Sequence, residues 1–377
     1  MNRLSIPRYV TRYWPYLAMT AAVIIVAGTV TASVVLVRAG SNQSAQPSPF
    51  DSALGQPTNP ADTGSIGPTD VPGAGLPSTG SSPSPGTPTR AVGAPLGGWI
   101  PVDQAELAAK TAQFFARTPR PVTGNPVAVP EFHASCKISH HADDDPIVFP
   151  GLPGASHNHT FWGNTTTNAA TTTASLYAAT ATTCNPSEDK SAYWIPTLYQ
   201  HGKVVDPIEV TVYYGSRLKD PSRTQPFPPG FRMITGDATK QSDPHGNHFW
   251  CAGIGGEIGR TADGEFPICA PTAHLVRQVT FADCWDGKHL DSPNHKDHVA
   301  NGNHLGECPA SHPIPIPNIS FVIGYPLSGY TEGITLSSGN AVSMHADFFN
   351  GWDEEALAAR VRNCINQGVK CNAAGGF

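Results

Sequence analysis

The sequence predicts an all-β extracytoplasmic domain, of the β-sandwich or jelly-roll-like kind with long loops and a C-terminal helix, preceded by a transmembrane helix and a disordered linker. Beyond residue 127 the apolar residues alternate with a period of two, as in Ile208 to Tyr214 (IEVTVYY), and clusters of Gly, Pro and Asn separate these runs. Only 14% of the 377 residues are charged, while 37 are Gly and 37 are Pro. This composition argues against a charge-rich helical bundle.

The N-terminal part predicts a single-pass membrane anchor. Residues 16–37 (YLAMTAAVIIVAGTVTASVVLV) carry no charge, and a helix of this length crosses a hydrocarbon core of about 30 Å. Three arginines precede the run and only Arg38 follows it directly, so residues 1–15 are predicted to be cytoplasmic and the rest of the chain to lie outside. A cleaved signal peptide is the alternative, but its apolar region is typically about 7–15 residues long.

A spacer follows the anchor. Residues 39–98 hold 11 Pro and 11 Gly with four charged residues, a composition that buries too little apolar area to fold and therefore predicts disorder. Extended at about 3.1 Å per residue, this linker would hold a domain on the order of 100 Å from the membrane. The flanking segment 99–126 contains one predicted helix, Asp103–Thr118, and residues 127–377 form the predicted extracytoplasmic domain.

Within this domain, strands are predicted where alternating apolar runs are bounded by turn formers. They are Ile147–Phe149, His157–Trp162, Thr172–Ala179, Ser191–Tyr199, Ile208–Tyr214, Leu275–Phe281, Ile319–Ile323 and Ala341–Phe349. One helix, Asp353–Gln367, begins with acidic residues and ends at Gly368. Alternating helices of 10 to 15 residues are missing, which argues against a TIM barrel.

Charge and cysteine content limit the function classes. The net charge of −6 provides no basic field for a polyanion, so the sequence predicts no nucleic-acid partner. Eight cysteines in a domain outside the membrane predict disulfides, and no C-x-x-C pair supports a zinc ribbon. Eight cysteines allow 105 pairings; proximity along the chain favours Cys136–Cys184, Cys251–Cys269, Cys284–Cys308 and Cys364–Cys371.

Two short histidine motifs predict a metal site. His157 and His159 are spaced so that a strand would project both imidazoles from one face, and His345 with Asp347 repeats that spacing. Imidazole and carboxylate ligands from separate segments are typical of a site for one divalent transition metal, which is the expected cofactor. The alternative to a metal site is a structural role, in which these side chains form hydrogen-bonded networks that hold long loops.

The densest polar run, DCWDGKHLDSPNHKDHVANGNH from Asp283 to His304, suggests acid–base residues for sugar chemistry. Lyases and glycoside hydrolases need an acid and a base flanking the bond that breaks. The candidate catalytic residues in this run are Asp283, Asp286, Lys288, Asp291 and His298. His245 and His248 form a further pair in a glycine-containing loop.

Aromatic residues suggest sugar stacking as well as core packing. Five tryptophans are candidates to stack on sugar rings: Trp162, Trp194, Trp250, Trp285 and Trp352. Large aromatic side chains are more often part of the core, so we expect most of the five to be buried.

Several co-linear motifs carry a family resemblance. These are DPIVFPGLPGASHNHTFWGN, WIPTLY, GFRMITGD, FADCWDGKHLDSPNHKDH, CPASHPIPIPNISF and MHADFFNGWD, over about 143–353. The chain resembles a large domain-of-unknown-function family of secreted proteins from actinomycetes and filamentous fungi. The resemblance implies one compact extracytoplasmic domain and no particular reaction, and it does not cover the anchor or linker.

Together these observations predict a cell-surface domain whose His/Asp pocket acts on a cell-wall or extracellular polysaccharide with a divalent metal. The pocket is predicted from His157, His159, Asp291, His298 and His345. A glycan-binding or adhesion domain without catalysis is the main alternative, and a metal-capture protein is a third. The sequence leaves the oligomeric state open.

Overall fold

The computed structural model describes residues 98–122, 125–242, 249–263, 265–329 and 332–376. All of them belong to one compact unit. The predicted cytoplasmic segment 1–15, the anchor 16–37 and nearly all of the linker 39–98 lie outside the described residues. Among the helices of the described segments, none has both the length and the hydropathy to cross a bilayer.

Eleven strands form two antiparallel sheets. In chain order they are β1 (Glu131–Cys136), β2 (Ile138–Ala142), β3 (His159–Gly163), β4 (Cys184–Asn185), β5 (Ala192–Pro196), β6 (Glu209–Gly215), β7 (Arg232–Gly236), β8 (Phe249–Gly253), β9 (Ala273–Thr280), β10 (Asn318–Tyr325) and β11 (His345–Phe349). The five-stranded sheet has the order β7-β11-β5-β3-β2, and the six-stranded sheet has the order β8-β9-β10-β6-β1-β4.

The inner faces of the two sheets share one aromatic core. Phe321 of β10 lies edge-on to Trp162 of β3 with ring centroids 5.0 Å apart, and Tyr214 of β6 meets Phe348 of β11 at 6.5 Å. These four side chains are fully buried. Such contacts arise because alternate residues of each strand face the opposite sheet. The predicted mainly β architecture is confirmed.

Short strands and turns complete the fold. Two-residue and three-residue strands pair beside the sheets, namely Ile100–Pro101 with His289–Asp291; Cys284–Trp285 with Val299–Ala300 and Ile314–Pro315; and Leu198–Gln200 with Lys203–Val204 and Ile334–Leu336. A separate hairpin joins Glu257–Arg260 to Pro267–Cys269. Single 3₁₀ turns occur at Pro221–Arg223 and Ala341–Ser343.

Within the described residues, three α-helices lie outside the sheets. Helix α1 (Gln104–Ala116) begins at Asp103, whose carboxylate accepts hydrogen bonds from two backbone N–H groups, and Phe114 is buried in the main core. Helix α3 (Glu354–Arg360) begins at the capping Asp353 and continues as a π-helical turn over Val361–Ile365. The C-terminal helix predicted from the acidic first turn is therefore confirmed.

Two predicted strands are wrong. Thr172–Ala179 contains helix α2 (Thr173–Ala178) because the Thr172 hydroxyl accepts from the Ser175 N–H and the Ser175 hydroxyl bonds in return, which forms a capping box. Residues 147–149 form turns because the Asp145 carboxylate accepts from the N–H groups of Ile147 and Val148. In both places a local side-chain cap outweighs the alternating pattern.

The four disulfides follow chain proximity. They join Cys136 to Cys184, Cys251 to Cys269, Cys284 to Cys308 and Cys364 to Cys371. No free cysteine remains. The predicted pairing is confirmed, and every thiol is used for cross-linking.

Candidate metal centre

The outer face of the five-stranded sheet carries the candidate site. On β11, Ala346 and Phe348 point into the main core, so His345 and Asp347 project from the opposite face. On β3, Trp162 belongs to the main core and His159 lies on the other face. Strands β3 and β11 flank β5, which places them about 9.5 Å apart, a gap that two imidazole rings bridge.

Two loops cover this face and remove it from water. The loop before β3 contributes Ile147, which packs with Phe161, Trp194 and Phe349 in a second, smaller core. The loop over 291–298 is tied to β7 because the Ile234 N–H donates to the carbonyl oxygen of His295. His159, His345 and Asp347 are consequently at most 4% exposed.

Three histidines converge beneath these loops. The ring centroids of His157 and His159 are 4.3 Å apart, and those of His157 and His345 are 5.0 Å apart. The Nε2 atoms of His159 and His345 are separated by 3.4 Å. His157 lies two residues before the start of β3, so its ring reaches the cluster from the loop. One ring nitrogen from each of the three lies within 4.8 Å of the others.

Backbone carbonyls determine which nitrogen carries the proton. His159 Nδ1 lies 3.0 Å from the carbonyl oxygen of Asp144, and His345 Nδ1 lies 2.9 Å from that of Ser343. A carbonyl oxygen only accepts, so each Nδ1 must donate and each Nε2 must hold a bare lone pair in the neutral ring. Two lone pairs therefore face each other at 3.4 Å, and the Nε2 of His157 is also buried without a hydrogen-bond partner.

This arrangement fits a bound cation. Two nitrogen ligands of a tetrahedral zinc ion, each at about 2.0–2.1 Å, lie roughly 3.3 Å apart, which agrees with the His159–His345 separation. Metal-bound histidines commonly donate their other ring N–H to a carbonyl or carboxylate, as His159 and His345 do here. His157, His159 and His345 together offer three ligands, the number that catalytic zinc sites commonly take from the protein.

Burial keeps these histidines in the form that binds metal. Desolvation, together with one neighbouring histidine, lowers the pKa of His157 and of His345 to about 3; the neighbour is His345 for His157 and His159 for His345. Desolvation also holds the pKa of His159 well below its ordinary value. At neutral pH all three imidazoles are unprotonated.

A buried carboxyl pair lies beside the histidines. Asp347 Oδ2 is 4.0 Å from His345 Nε2, and neither carboxylate oxygen of Asp347 has a hydrogen-bond donor. Asp145, His159 and Asp347 also each place one ligand atom within 4.8 Å of the others. Burial and the neighbouring Asp145 raise the pKa of Asp347 well above its ordinary value. A cation in the cluster would stabilise the carboxylate form.

Gly236 lets strand β7 lie close to strand β11 beside His345. It pairs with His345 at a φ of +83°, and a Cβ there would lie 2.5 Å from the Met344 carbonyl oxygen. We expect Gly236→Ala to lower the free energy of unfolding by about 1–3 kcal/mol in urea denaturation, because strain and a backbone clash add. Gly154→Ala is the control, since φ is +71° there but the space is open. If Gly236→Ala and Gly154→Ala lowered the free energy of unfolding equally, the steric clash at Gly236 would be refuted.

Two of the candidate catalytic residues, Asp283 and Asp286, bind backbone N–H groups of their own loop. The Asp283 carboxylate accepts from the Gly302 N–H at 2.7 Å, and Asp286 accepts from the N–H groups of Lys288 and His289. The Lys288 side chain is exposed. The structure gives Asp283, Asp286 and Lys288 no contact with the three histidines.

Asp291 and His298 lie in the loop that covers the site. His298 donates from Nε2 to the Arg232 carbonyl at 2.8 Å, and its Nδ1 is 3.0 Å from the Ser292 hydroxyl, so both ring nitrogens are occupied. Asp291 is 2% exposed and accepts from the Ser292 N–H and from His295 Nδ1. These bonds fix the loop over the sheet.

The tryptophans divide as expected. Four of the five are at most 1% exposed, namely Trp162, Trp194, Trp285 and Trp352, whereas Trp250 is 44% exposed.

His245 and His248 lie outside the described residues. Sequence reasoning did not single out Asp145, which follows two other aspartates in DDDP, because nothing in its spacing separates it from its neighbours.

One comparison identifies the family. The model of the family described as Domain of unknown function (DUF1996) matches residues 145–352, more than half of the chain. The chain belongs to the DUF1996 family. His157, His159, His345 and Asp347 all lie inside the matched DUF1996 region, and the resemblance seen in the sequence is confirmed. No curated protein and no solved structure matches the chain.

Proposed function

We propose that this DUF1996 domain is a metal-dependent enzyme, a hydrolase or lyase, that acts on a cell-wall or extracellular polysaccharide. One divalent transition metal, with zinc as the best fit, is held by His157, His159 and His345, with Asp347 as an added carboxylate. The observation that carries this proposal is the pair of bare Nε2 atoms 3.4 Å apart. Without a cation between them, their lone pairs repel.

The residues support acid–base chemistry on a polarised oxygen. A zinc ion at this centre would act as a Lewis acid and lower the pKa of a bound water. Asp145 and Asp347 place two carboxyl groups next to it, and burial raises the pKa of Asp145 above its ordinary value. Next to a bound cation, both carboxyl groups would favour the ionised form and would add negative charge that holds the cation.

A groove between strand β7 of one sheet and strands β8 and β9 of the other supports a sugar polymer as substrate. It has a volume of about 730 Å³ and includes Gly236, the residue that pairs with His345. The exposed Trp250 forms part of its wall, together with Asp237 and Gln278. An aromatic face beside hydrogen-bonding side chains suits a sugar ring.

The sequence predicts a β-sandwich or a jelly-roll-like fold. The two facing sheets support the β-sandwich.

Localisation at the cell surface is part of the proposal. The uncharged run 16–37 would anchor the chain with residues 1–15 inside, and the linker 39–98 would let the domain reach through a wall layer. The groove with Trp250 also supports the second candidate, a glycan-binding or adhesion domain, since it does not require the metal centre.

Metal content is the first test. We expect near one equivalent of a transition metal in the purified full chain by elemental mass spectrometry, and loss of the metal in His159→Ala. His140→Ala is the matched control, because His140 lies on the same sheet but bonds to the Thr167 carbonyl. Metal absent from the wild type, or retained equally in His159→Ala, would refute the site.

Turnover separates the two candidate functions. We expect the wild-type chain to shorten a cell-wall or extracellular polysaccharide, and a chelator or His159→Ala to stop this. Product chain length, measured by chromatography, is the readout. A polysaccharide that is retained by the protein but never shortened would favour the glycan-binding function.

A further inference from the structure

The covering loop carries a buried histidine, His295, that does not belong to the three-histidine cluster. His295 is 2% exposed, and its Nε2 is buried without a hydrogen-bond partner. Its Nδ1 lies 2.9 Å from Asp291 Oδ1. The carboxylate accepts, so Nδ1 donates and Nε2 holds a free lone pair in the neutral ring. An unpaired polar atom in such a place requires an explanation.

The backbone of His295 is held in an uncommon conformation. Its φ is +59°, in the left-handed region that non-glycine residues seldom adopt. The carbonyl oxygen of His295 accepts from the Ile234 N–H on β7, and its own N–H donates to Ser292, so both sides of the residue are fixed. Strain of this kind persists where the surrounding structure imposes it, often at functional sites.

The Asp291–His295 pair is held next to the centre by strand β7. The Ile234 N–H of β7 donates to the carbonyl oxygen of His295, and Ile234 pairs with Asp347 of β11. Asp145 interacts electrostatically with His295, and its carboxyl group lies within 4.8 Å of ligand atoms of His159 and Asp347. Asp291 is in turn supported by the Ser292 N–H at 2.8 Å, with Arg232 Nε 3.9 Å from its second oxygen. Asp145 is thus a neighbour of both the Asp291–His295 pair and the three-histidine cluster.

We infer that Asp291 and His295 form the proton-transfer pair of the metal centre. His295 Nε2 accepts a proton from a water or hydroxyl group held at the centre, and it returns that proton to the leaving oxygen. The Asp291 carboxylate, which accepts from His295 Nδ1, orients the ring and stabilises its imidazolium form. This inference rests on the proposed function and assigns a role to one of its predicted catalytic residues, Asp291.

The test uses the full chain loaded with Co²⁺, whose visible absorption reports ionisation at the metal. Asparagine tolerates a positive φ and still donates to Asp291, so His295→Asn retains the loop but removes the base. We expect His295→Asn to bind one equivalent of Co²⁺ but to move the pH midpoint of the spectral change upward by about 1 unit, since one hydrogen-bond acceptor is lost. Asp291→Asn should move it in the same direction.

His312→Gln is the control, because His312 is only half-buried and bonds to the carbonyl of Asp297 in the 291–298 loop. Its midpoint should equal that of the wild type. Failure of the wild type to bind Co²⁺ would contradict the proposed function. Normal Co²⁺ binding with an unchanged midpoint in both His295→Asn and Asp291→Asn would overturn the proton-transfer role alone. If His295→Asn does not fold, Asp291→Asn decides the matter by the same measurement.

Discussion

Zinc is expected to raise the free energy of unfolding of the metal-free chain by about 4 kcal/mol when its free concentration is a thousandfold above Kd. The folded state places three unprotonated imidazoles around one point, whereas the unfolded chain separates His159 from His345 by 186 residues. Binding to the folded state alone moves the equilibrium toward it. Urea denaturation with and without zinc measures the difference.

The variants separate ligation from general stability. His345→Ala should remove nearly all of the zinc-dependent gain, since it deletes one of the two facing Nε2 atoms. His140→Ala should keep the gain, because the ring of His140 stacks on Phe161 outside the cluster. A gain of equal size in wild type and His345→Ala would mean that zinc binds elsewhere.

The second large effect concerns Asp189, a carboxyl group in the core between the sheets. It is fully buried and accepts hydrogen bonds from the Tyr193 hydroxyl at 2.7 Å and from the Ser191 N–H. Tyr193 in turn contacts the Tyr214 hydroxyl, which accepts from Trp352 Nε1. Burial raises the pKa of Asp189, the hydrogen bonds from Tyr193 and Ser191 lower it, and burial is the larger effect, so that the pKa is about 7.

The sign of the pH dependence follows from that raised pKa. Between about pH 4 and pH 7 the folded state keeps a proton on Asp189 that the unfolded state has lost. Stability is therefore greatest below the unfolded pKa and falls as the pH rises, by on the order of 4 kcal/mol over this window. Asp189→Asn should abolish this part of the decline.

Urea denaturation at pH 4, 5.5 and 7 tests the effect as the difference between wild type and Asp189→Asn. Other buried carboxyl groups titrate in both proteins, so the difference isolates Asp189. Asp220→Asn is the control, because Asp220 is an exposed helix cap and Asn caps equally well. Parallel stability curves for wild type and Asp189→Asn would contradict the raised pKa.

Much of the fold could be predicted because its signals are local. The alternation in Ile208 to Tyr214 predicts a strand, and the structure has β6 over Glu209–Gly215. The acidic residues after Asp353 predict a helix that is present. The prediction failed at Thr172–Ala179, where one reciprocal pair of hydroxyl contacts stabilises a helix of six residues.

The candidate metal-binding residues could be predicted from the sequence for a similar reason. A spacing of two residues in a strand places His345 and Asp347 on one face whatever the rest of the chain does. The same reasoning could not separate them from Asp283 or Asp286, which have similar composition but accept hydrogen bonds from their own loops. Side-chain type predicts what a residue can bind, and only its neighbours decide what it does bind.

By itself, then, the sequence determined the β class and the residue types of the centre, and chain proximity favoured the disulfide pairing that the structure has, since these depend on residues close in the chain. The tertiary structure decided that His159 and His345 face each other, that carbonyls leave their Nε2 atoms bare, and that Asp145 and His295 lie beside them. The physical reason is that sheet pairing and the covering loops bring distant residues together and remove water, which sets both hydrogen bonding and pKa.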